Sequence, residues 1–275
     1  MTTTASLDSL KREEDIVLET MPLDALGRFA TKREETFLSA REEPAFVLTS
    51  WPWRETSLIV SLFTKHYGRV TVVARGAKRV AGRFRGLLDP FSPLLVNFSG
   101  KGEVKTLTAA RWMGGLAPIT GEGLLTGFYL NELIFRLMPA EVSHAELFEA
   151  YTATLTKLSY GKWQDADRAM REFEVDLLRL CGWGQRLEEK SEGFTGFVRA
   201  GEIVNASEYS PYPEEKLFDS ATVRAVLMRD FRDASTLKGA REMLRLIIEF
   251  YALGGKTLSS RKTLSKWRRF RVSEI

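Results

Sequence analysis

The chain has little of the chemistry on which metal proteins and many enzymes depend. Its 275 residues include one cysteine, Cys181, and two histidines, His66 and His144. A single cysteine excludes an internal disulfide and a cysteine-based zinc site. Neither histidine has a nearby cysteine or the paired carboxylates that a catalytic triad or a metal centre would need. We therefore expect a protein that is not an enzyme and that uses no cofactor and no metal.

Long hydrophobic runs are also missing. No segment has the roughly 18 consecutive apolar residues that a membrane-spanning helix requires. The first residues lack the basic-then-apolar pattern of a secretory signal. The sequence therefore predicts a cytoplasmic protein without membrane contact.

Acidic residues are absent from one stretch of the chain. Between Thr56 and Leu88 there is no Asp or Glu, but there are seven basic residues: Lys65, Arg69, Arg75, Lys78, Arg79, Arg83 and Arg85. The net charge of +4 hides a further asymmetry, because residues 1–43 carry −4 and the remainder carries +8. Acid-free positive charge of this kind suits a polyanion and indicates nucleic acid.

The apolar pattern predicts two domains after a mobile acidic extension at 1–43. Within 44–118, β-type runs at 45–48, 57–64, 69–75, 93–98 and 103–108 alternate with turn signals. Short strands that can pair in antiparallel fashion suggest a small closed barrel. In 119–275 the period becomes helical, with helices near 124–137, 144–159, 165–182, 219–231, 237–253 and 257–268. An irregular or hairpin-like insertion is expected at about 185–212, and the overall class is α+β.

Aromatic residues accompany the basic ones and offer faces on which bases could stack. The candidates are Trp51, Trp53, Tyr67 and Phe84. A second acid-free stretch, 250–273, supplies a candidate second DNA patch: Lys256, Arg261, Lys262, Lys266, Arg268 and Arg269. Two other classes stay open, an RNA-associated barrel protein and a protein–protein scaffold whose basic face meets an acidic partner.

Eight short stretches follow an order and spacing that match a known family. They are 55–64, 68–78, 88–95, 99–107, 127–133, 146–148, 171–178 and 254–261. With them the chain resembles RecO, the bacterial recombination mediator, from about Ala45 to Trp267. The resemblance implies an N-terminal OB-fold barrel followed by an all-helical domain. It also implies binding of single- and double-stranded DNA, annealing of complementary strands, and a nucleoid-associated location.

The resemblance further implies protein partners. These are RecR and the single-stranded-DNA-binding protein SSB, which RecO helps to exchange for RecA. Some family members carry a four-cysteine zinc module after the stretch that here is 177–184, but no cysteine follows that stretch in this chain. We therefore expect no zinc to hold the insertion.

Site residues are expected in two places. The DNA-binding set is Lys65, Arg69, Arg75, Lys78, Arg79, Arg83, Phe84, Arg85 and Lys105. The acidic SSB tail ends in an aromatic residue and needs a cation beside an apolar slot. The set for this tail is Arg136 with Phe128, Leu147 and Tyr151 as walls. Ordinary core packing is the alternative for each of these three apolar residues.

Overall fold

The computed structural model describes residues 37–160, 163–180 and 194–253. These residues form two units. The first contains the described residues up to Thr64 together with Val70–Gly114. The second combines Lys65–Arg69 with the described residues from Gly115 onward. Cys181, most of the expected extension, the predicted helix at 257–268 and the candidate second DNA patch lie outside the described residues.

Five strands of the first part of the chain close into a barrel in the order β1-β2-β3-β5-β4. Strands β1 and β4 pair in antiparallel fashion, as do β1 and β2, whereas β3 and β5 close the barrel with a parallel pairing. This arrangement confirms the predicted OB-fold. The strands are β1 Leu38–Trp53, β2 Ser57–Thr64, β3 Gly68–Ala74, β4 Pro93–Gly100 and β5 Val104–Trp112.

Strand β1 is longer than its sequence pattern suggested. Its first part pairs with β4, from Leu38 opposite Gly100, and its second part pairs with β2. The register shifts between Ala40 and Glu43, and Glu42 has a φ of 49°. This irregularity breaks the apolar alternation by which a strand is recognised. Residues 38–43, expected to belong to the mobile extension, are therefore part of the barrel.

The rest of the described chain is mainly helical. The elements are α1 Gly121–Leu137, α2 Ala145–Tyr160, α3 Trp163–Leu180, β6 Gly196–Arg199, β7 Glu202–Asn205, α4 Ser220–Leu227 and α5 Ala234–Leu253. Strands β6 and β7 form an antiparallel hairpin inside the predicted insertion, so the domain is helical with one hairpin and not purely helical. Helix α4 ends earlier than predicted, since Arg229 has a φ of 53°.

Helix α3 lies at the centre of the helical unit, where it packs against α1, α2 and α5. Apolar side chains such as Phe173 and Leu177 are buried there. Charged side chains of the same helix also form ion pairs with arginines of neighbouring segments. Asp167 accepts from Arg241 Nη2 at 2.6 Å, and Arg229 Nε lies 2.6 Å from Asp176 Oδ1. Both apolar burial and ion pairing therefore hold α3 in place.

The turn between β2 and β3 belongs to the helical unit. Lys65 Nζ donates to Glu149 Oε1 at 2.6 Å, and Ser143 Oγ donates to the Lys65 carbonyl at 3.2 Å. The Arg69 carbonyl accepts from the Glu141 amide at 2.9 Å. Gly68 has a φ of +66°, and a Cβ built on it would lie 1.9 Å from the Val142 carbonyl oxygen. Only a glycine fits this close backbone approach.

We predict that Gly68→Ala will destabilise the protein more than Gly86→Ala. Both positions have a left-handed backbone, which costs a non-glycine residue roughly 1–2 kcal/mol, but Gly86 has nothing within 4 Å of its ideal Cβ. Gly68→Ala adds a backbone overlap to that strain. Urea unfolding of the two variants measures the difference as a lower midpoint for Gly68→Ala. Equal midpoints would show that the turn accommodates the alanine Cβ at position 68 without a loss of stability.

Candidate nucleic-acid interface

The basic loop, residues 75–92, connects β3 to β4 and is built from successive turns. The amides of Arg79, Gly82 and Arg85 donate to the carbonyls of Gly76, Arg79 and Gly82, at 3.1, 2.9 and 3.1 Å. A Cβ at Gly82 would lie 2.5 Å from the Gly76 carbonyl oxygen, so the backbone is closely packed. The Lys78 amide also donates to the Thr56 carbonyl at 2.8 Å. The loop is thus ordered and tied to the β1–β2 turn.

Side chains of the basic loop divide into an inner and an outer set. Ala77, Phe84, Leu88 and Phe91 are buried and anchor the loop. The outer set consists of five exposed cations, which we call the loop cations: Arg75, Lys78, Arg79, Arg83 and Arg85. Apolar anchoring keeps the backbone fixed, so the cations project from a rigid support.

The loop cations have no acidic partner in the part of the chain that the structure describes. Within the described part of the chain, none of the five forms an ion pair with a carboxylate. Arg85 Nη1 donates to the Val80 carbonyl at 2.8 Å, and the Arg83 guanidinium lies 4.7 Å from the centroid of the Phe84 ring. Neither contact removes charge. The cluster therefore attracts anions, as a phosphate backbone does.

Four other residues of the predicted DNA-binding set are not among the exposed loop cations. Arg69 is 4% exposed, Lys105 1% and Phe84 2%. Arg69 Nε donates to the Met138 carbonyl at 3.3 Å, and Lys105 Nζ donates to the Gly102 carbonyl inside its own turn. Lys65 is held by Glu149. These side chains support the fold, so we leave them out of the interface.

Sequence reasoning missed Arg54. This exposed residue lies in the β1–β2 turn that the basic loop contacts through Thr56, and its guanidinium is 4.6 Å from the centroid of the Trp53 ring. Arg54 was overlooked because Glu55 separates it from the acid-free stretch that begins at Thr56. Of the candidate stacking residues nearby, Trp53 is buried and Trp51 is half-buried.

The two strands that OB-folds commonly use for binding have few exposed side chains in this protein. Ligands of OB-folds usually lie on strands 2 and 3. All seven residues of β3 are buried, and seven of the eight residues of β2 are buried as well. Within the described part of the barrel, the basic loop carries five exposed cations.

The slot predicted for the SSB tail is only partly at the surface. Leu147 and Tyr151 are fully buried, and the Tyr151 hydroxyl donates to Asn131 Oδ1. Burial raises the pKa of the Tyr151 phenol, which keeps it neutral. Phe128 is exposed, and Arg136 Nε lies 2.9 Å from Glu132 Oε1. Leu147 and Tyr151 are thus core residues and cannot line an open slot.

The described residues contain neither a candidate metal site nor a membrane-spanning helix. The described residues contain no group of three or more His, Cys, Asp or Glu side chains that could hold a metal ion. None of their helices is sufficiently long and apolar to cross a bilayer. The charged loop is the site that the described structure offers.

Comparison with known proteins identifies the family. The family model described as "Recombination protein O N terminal" matches residues 39–116. The model described as "Recombination protein O C terminal" matches residues 120–260. The chain belongs to the RecO family. The two matches correspond to the barrel and to the helical part of the chain, and the first begins one residue after the start of β1. The predicted resemblance to RecO is confirmed.

Curated relatives agree with this assignment. The chain is 39% identical over 234 residues to the DNA repair protein RecO of Aromatoleum aromaticum, covering 82% of this chain and 95% of the relative. It is 37% identical to RecO of Cupriavidus pinatubonensis, covering 88% and 84%. The RecO of Burkholderia orbicola is 39% identical, with 86% of each chain covered. Membership of RecO supports a role in DNA repair and recombination.

Proposed function

We propose that this chain binds single- and double-stranded DNA through the basic loop and anneals complementary strands. The observation that carries the proposal is the cluster of five exposed loop cations that have no carboxylate partner among the described residues. Two DNA strands repel each other through their phosphates, so a protein that neutralises phosphates lowers the barrier to pairing. A rigid loop performs this neutralisation without first having to become ordered.

The binding mode should depend strongly on salt and weakly on sequence. Each neutralised phosphate contributes about −0.7 to the logarithmic salt slope for single strands and about −0.9 for duplex DNA. If all five loop cations meet phosphates, the slope for single strands should reach about −3.5. Backbone contacts carry no direct sequence information, so base composition should have little effect on affinity.

The same proposal includes the protein partners that family membership suggests. We propose that RecR and SSB bind this chain, and that the chain helps to exchange SSB for RecA on single-stranded DNA. The acidic tail of SSB would meet Arg136 with the exposed Phe128, both on α1. Contacts of a cation and an adjacent apolar surface suit such a peptide.

Arg136→Ala should weaken binding of a peptide with the sequence of the SSB tail, because it removes the cation that meets the tail's carboxylates. Arg224→Ala is the matched control, since Arg224 is an exposed arginine on α4. Fluorescence anisotropy of a labelled tail peptide measures both variants. If Arg136→Ala binds the peptide as tightly as the control, the tail binds elsewhere.

The experiment that tests the DNA proposal is an anisotropy titration of a labelled single strand across a salt series. Annealing of SSB-coated complementary strands is followed in the same buffers. Salt-sensitive binding with accelerated annealing is the expected result. Absence of binding at low salt would overturn the proposal and favour a scaffold with an acidic protein partner. Tighter binding of a competing RNA oligomer would instead indicate an RNA-associated protein.

A further inference from the structure

Val80 is an apolar side chain placed among the loop cations. It is 80% exposed, the highest value among the large hydrophobic side chains of the described residues. Isolated exposed apolar residues are common and need no explanation. Val80 differs in its setting, because Lys78 and Arg79 precede it and Arg83 and Arg85 follow it without an intervening acid.

Hydrogen bonds hold the backbone around the exposed Val80. Arg85 Nη1 donates to the Val80 carbonyl, and the Gly82 amide donates to the Arg79 carbonyl, so bonds close the backbone on both sides of Val80. The inward anchoring positions belong to Ala77 and Phe84, which are buried. The loop therefore keeps an apolar group on the outside, in a hydrogen-bonded segment that also carries four exposed cations.

We propose that Val80 is a wedge that inserts between adjacent bases when the loop cations bind the phosphates. The inference rests on the proposed DNA binding and adds the form of DNA that the loop prefers. Proteins that insert an apolar side chain at a base step partly unstack it, at a cost of a few kcal/mol per step in a duplex. Less stacking must be broken in a single strand or at the end of a duplex. The loop should therefore favour those forms over continuous duplex.

A protein partner is a weaker explanation of the exposed valine. Charged residues are depleted at the centres of protein interfaces, where the apolar anchors lie. Val80 has the opposite surroundings, since Arg79 directly precedes it and Lys78, Arg83 and Arg85 lie within five residues of it in the loop. Phosphates flanking a base step supply the complementary arrangement, with negative charge around an apolar slot between two base faces.

The test uses the full chain and single strands that contain 2-aminopurine, a base whose fluorescence rises when it is unstacked. Wild-type protein should raise the fluorescence of a single strand and of a probe at a duplex end. Val80→Ser should lose most of this rise and bind the single strand about fivefold more weakly, because the apolar contact is lost. Val80→Leu should retain the rise. Ala81→Ser, at the exposed neighbouring position, is the control.

The outcomes separate the wedge from the DNA proposal itself. If wild-type protein fails to bind DNA, the proposed function is wrong. If Val80→Ser keeps the wild-type fluorescence rise and affinity, the wedge is wrong and DNA binding stands. If Val80→Ser leaves the DNA signals unchanged but weakens binding of SSB, Val80 is a protein contact and the inference is overturned. The salt slope should not change in any Val80 variant, because no charge is altered.

Discussion

Arg171→Ala should destabilise the helical unit by about 3–5 kcal/mol, the usual cost of removing one partner of a buried ion pair. Arg171 is 1% exposed and Glu174 is fully buried. Arg171 Nη1 lies 2.8 Å from Glu174 Oε2, and the Tyr129 hydroxyl donates to Glu174 Oε1 at 2.5 Å. Alanine at 171 would leave a buried carboxylate without its cation, together with a cavity in the core.

Urea unfolding measures the loss of unfolding free energy, and two further variants serve as comparisons. Arg241→Ala breaks a pair whose arginine is 36% exposed, so it should cost clearly less than Arg171→Ala. The double variant Arg171→Met with Glu174→Leu should recover most of the stability, since an apolar pair of similar volume needs no desolvation of charge. A double variant as unstable as Arg171→Ala would show that the two charges are needed for the packing of α3 itself.

The case for an apolar replacement is stronger because this ion pair is incompletely bonded. Among the described residues, Arg171 Nε has no hydrogen-bond partner. A buried polar group without a partner loses its hydration without compensation. Together with the hydrogen bond from Tyr129 of α1 to Glu174, the pair is therefore better understood as a feature that specifies how α1 meets α3 than as a source of net stability. That interpretation predicts a double variant that recovers most of the stability but is less uniquely packed.

The barrel was predictable because most of its strands are short β-type runs, and turn residues such as glycine and proline lie between most of them. Where both signals fail, the prediction failed too. Residues 41–43 of β1 are charged, and the irregularity at Glu42 interrupts the period of this first part of the strand. No local pattern reveals that Leu38 pairs with Gly100, more than sixty residues away in the chain. Such pairing follows from closure of the barrel and not from local preference.

Charge alone was an incomplete guide to the interface. Lys105 lies between half-buried Val104 and Thr106 and on the same strand face as buried Leu107. Because side chains alternate between the two faces of a strand, this position already indicated that Lys105 points inward. Arg69 could not be assigned in this way, since every residue of β3 is buried. Its guanidinium lies 5.0 Å from the centroid of the Phe135 ring, a contact with a distant helix that no local signal encodes.

The walls of the predicted tail slot show a related limit. Leu147 and Tyr151 lie one helical turn apart, a spacing that fits a groove and a core equally well. Their burial was decided by packing against other helices, as the contact of Tyr151 with Phe173 at 6.1 Å between ring centroids illustrates. Only long-range packing distinguishes a groove from a core, and a single sequence does not reveal that packing.

Reversing two of the loop cations, Arg79→Glu with Arg83→Glu, should lower DNA affinity and flatten its salt dependence. If each arginine neutralises one phosphate, the logarithmic slope for single strands should become less steep by about 1.4. Both side chains are exposed and lack carboxylate partners among the described residues, so the fold should be unaffected. Anisotropy titrations at several salt concentrations give the slope, and circular dichroism checks the fold.

The matched control is Arg224→Glu with Lys238→Glu, which changes the net charge equally at exposed positions of the helical unit. A contact acts through specific phosphates, whereas net charge acts through a field that salt screens over about 10 Å. The control should therefore keep a slope close to that of the wild type. Equal losses in both double variants would mean that overall charge, and not the basic loop, attracts DNA. An unchanged slope in Arg79→Glu with Arg83→Glu would move the binding site away from the loop, and the predicted basic stretch at 250–273 would be the next segment to mutate.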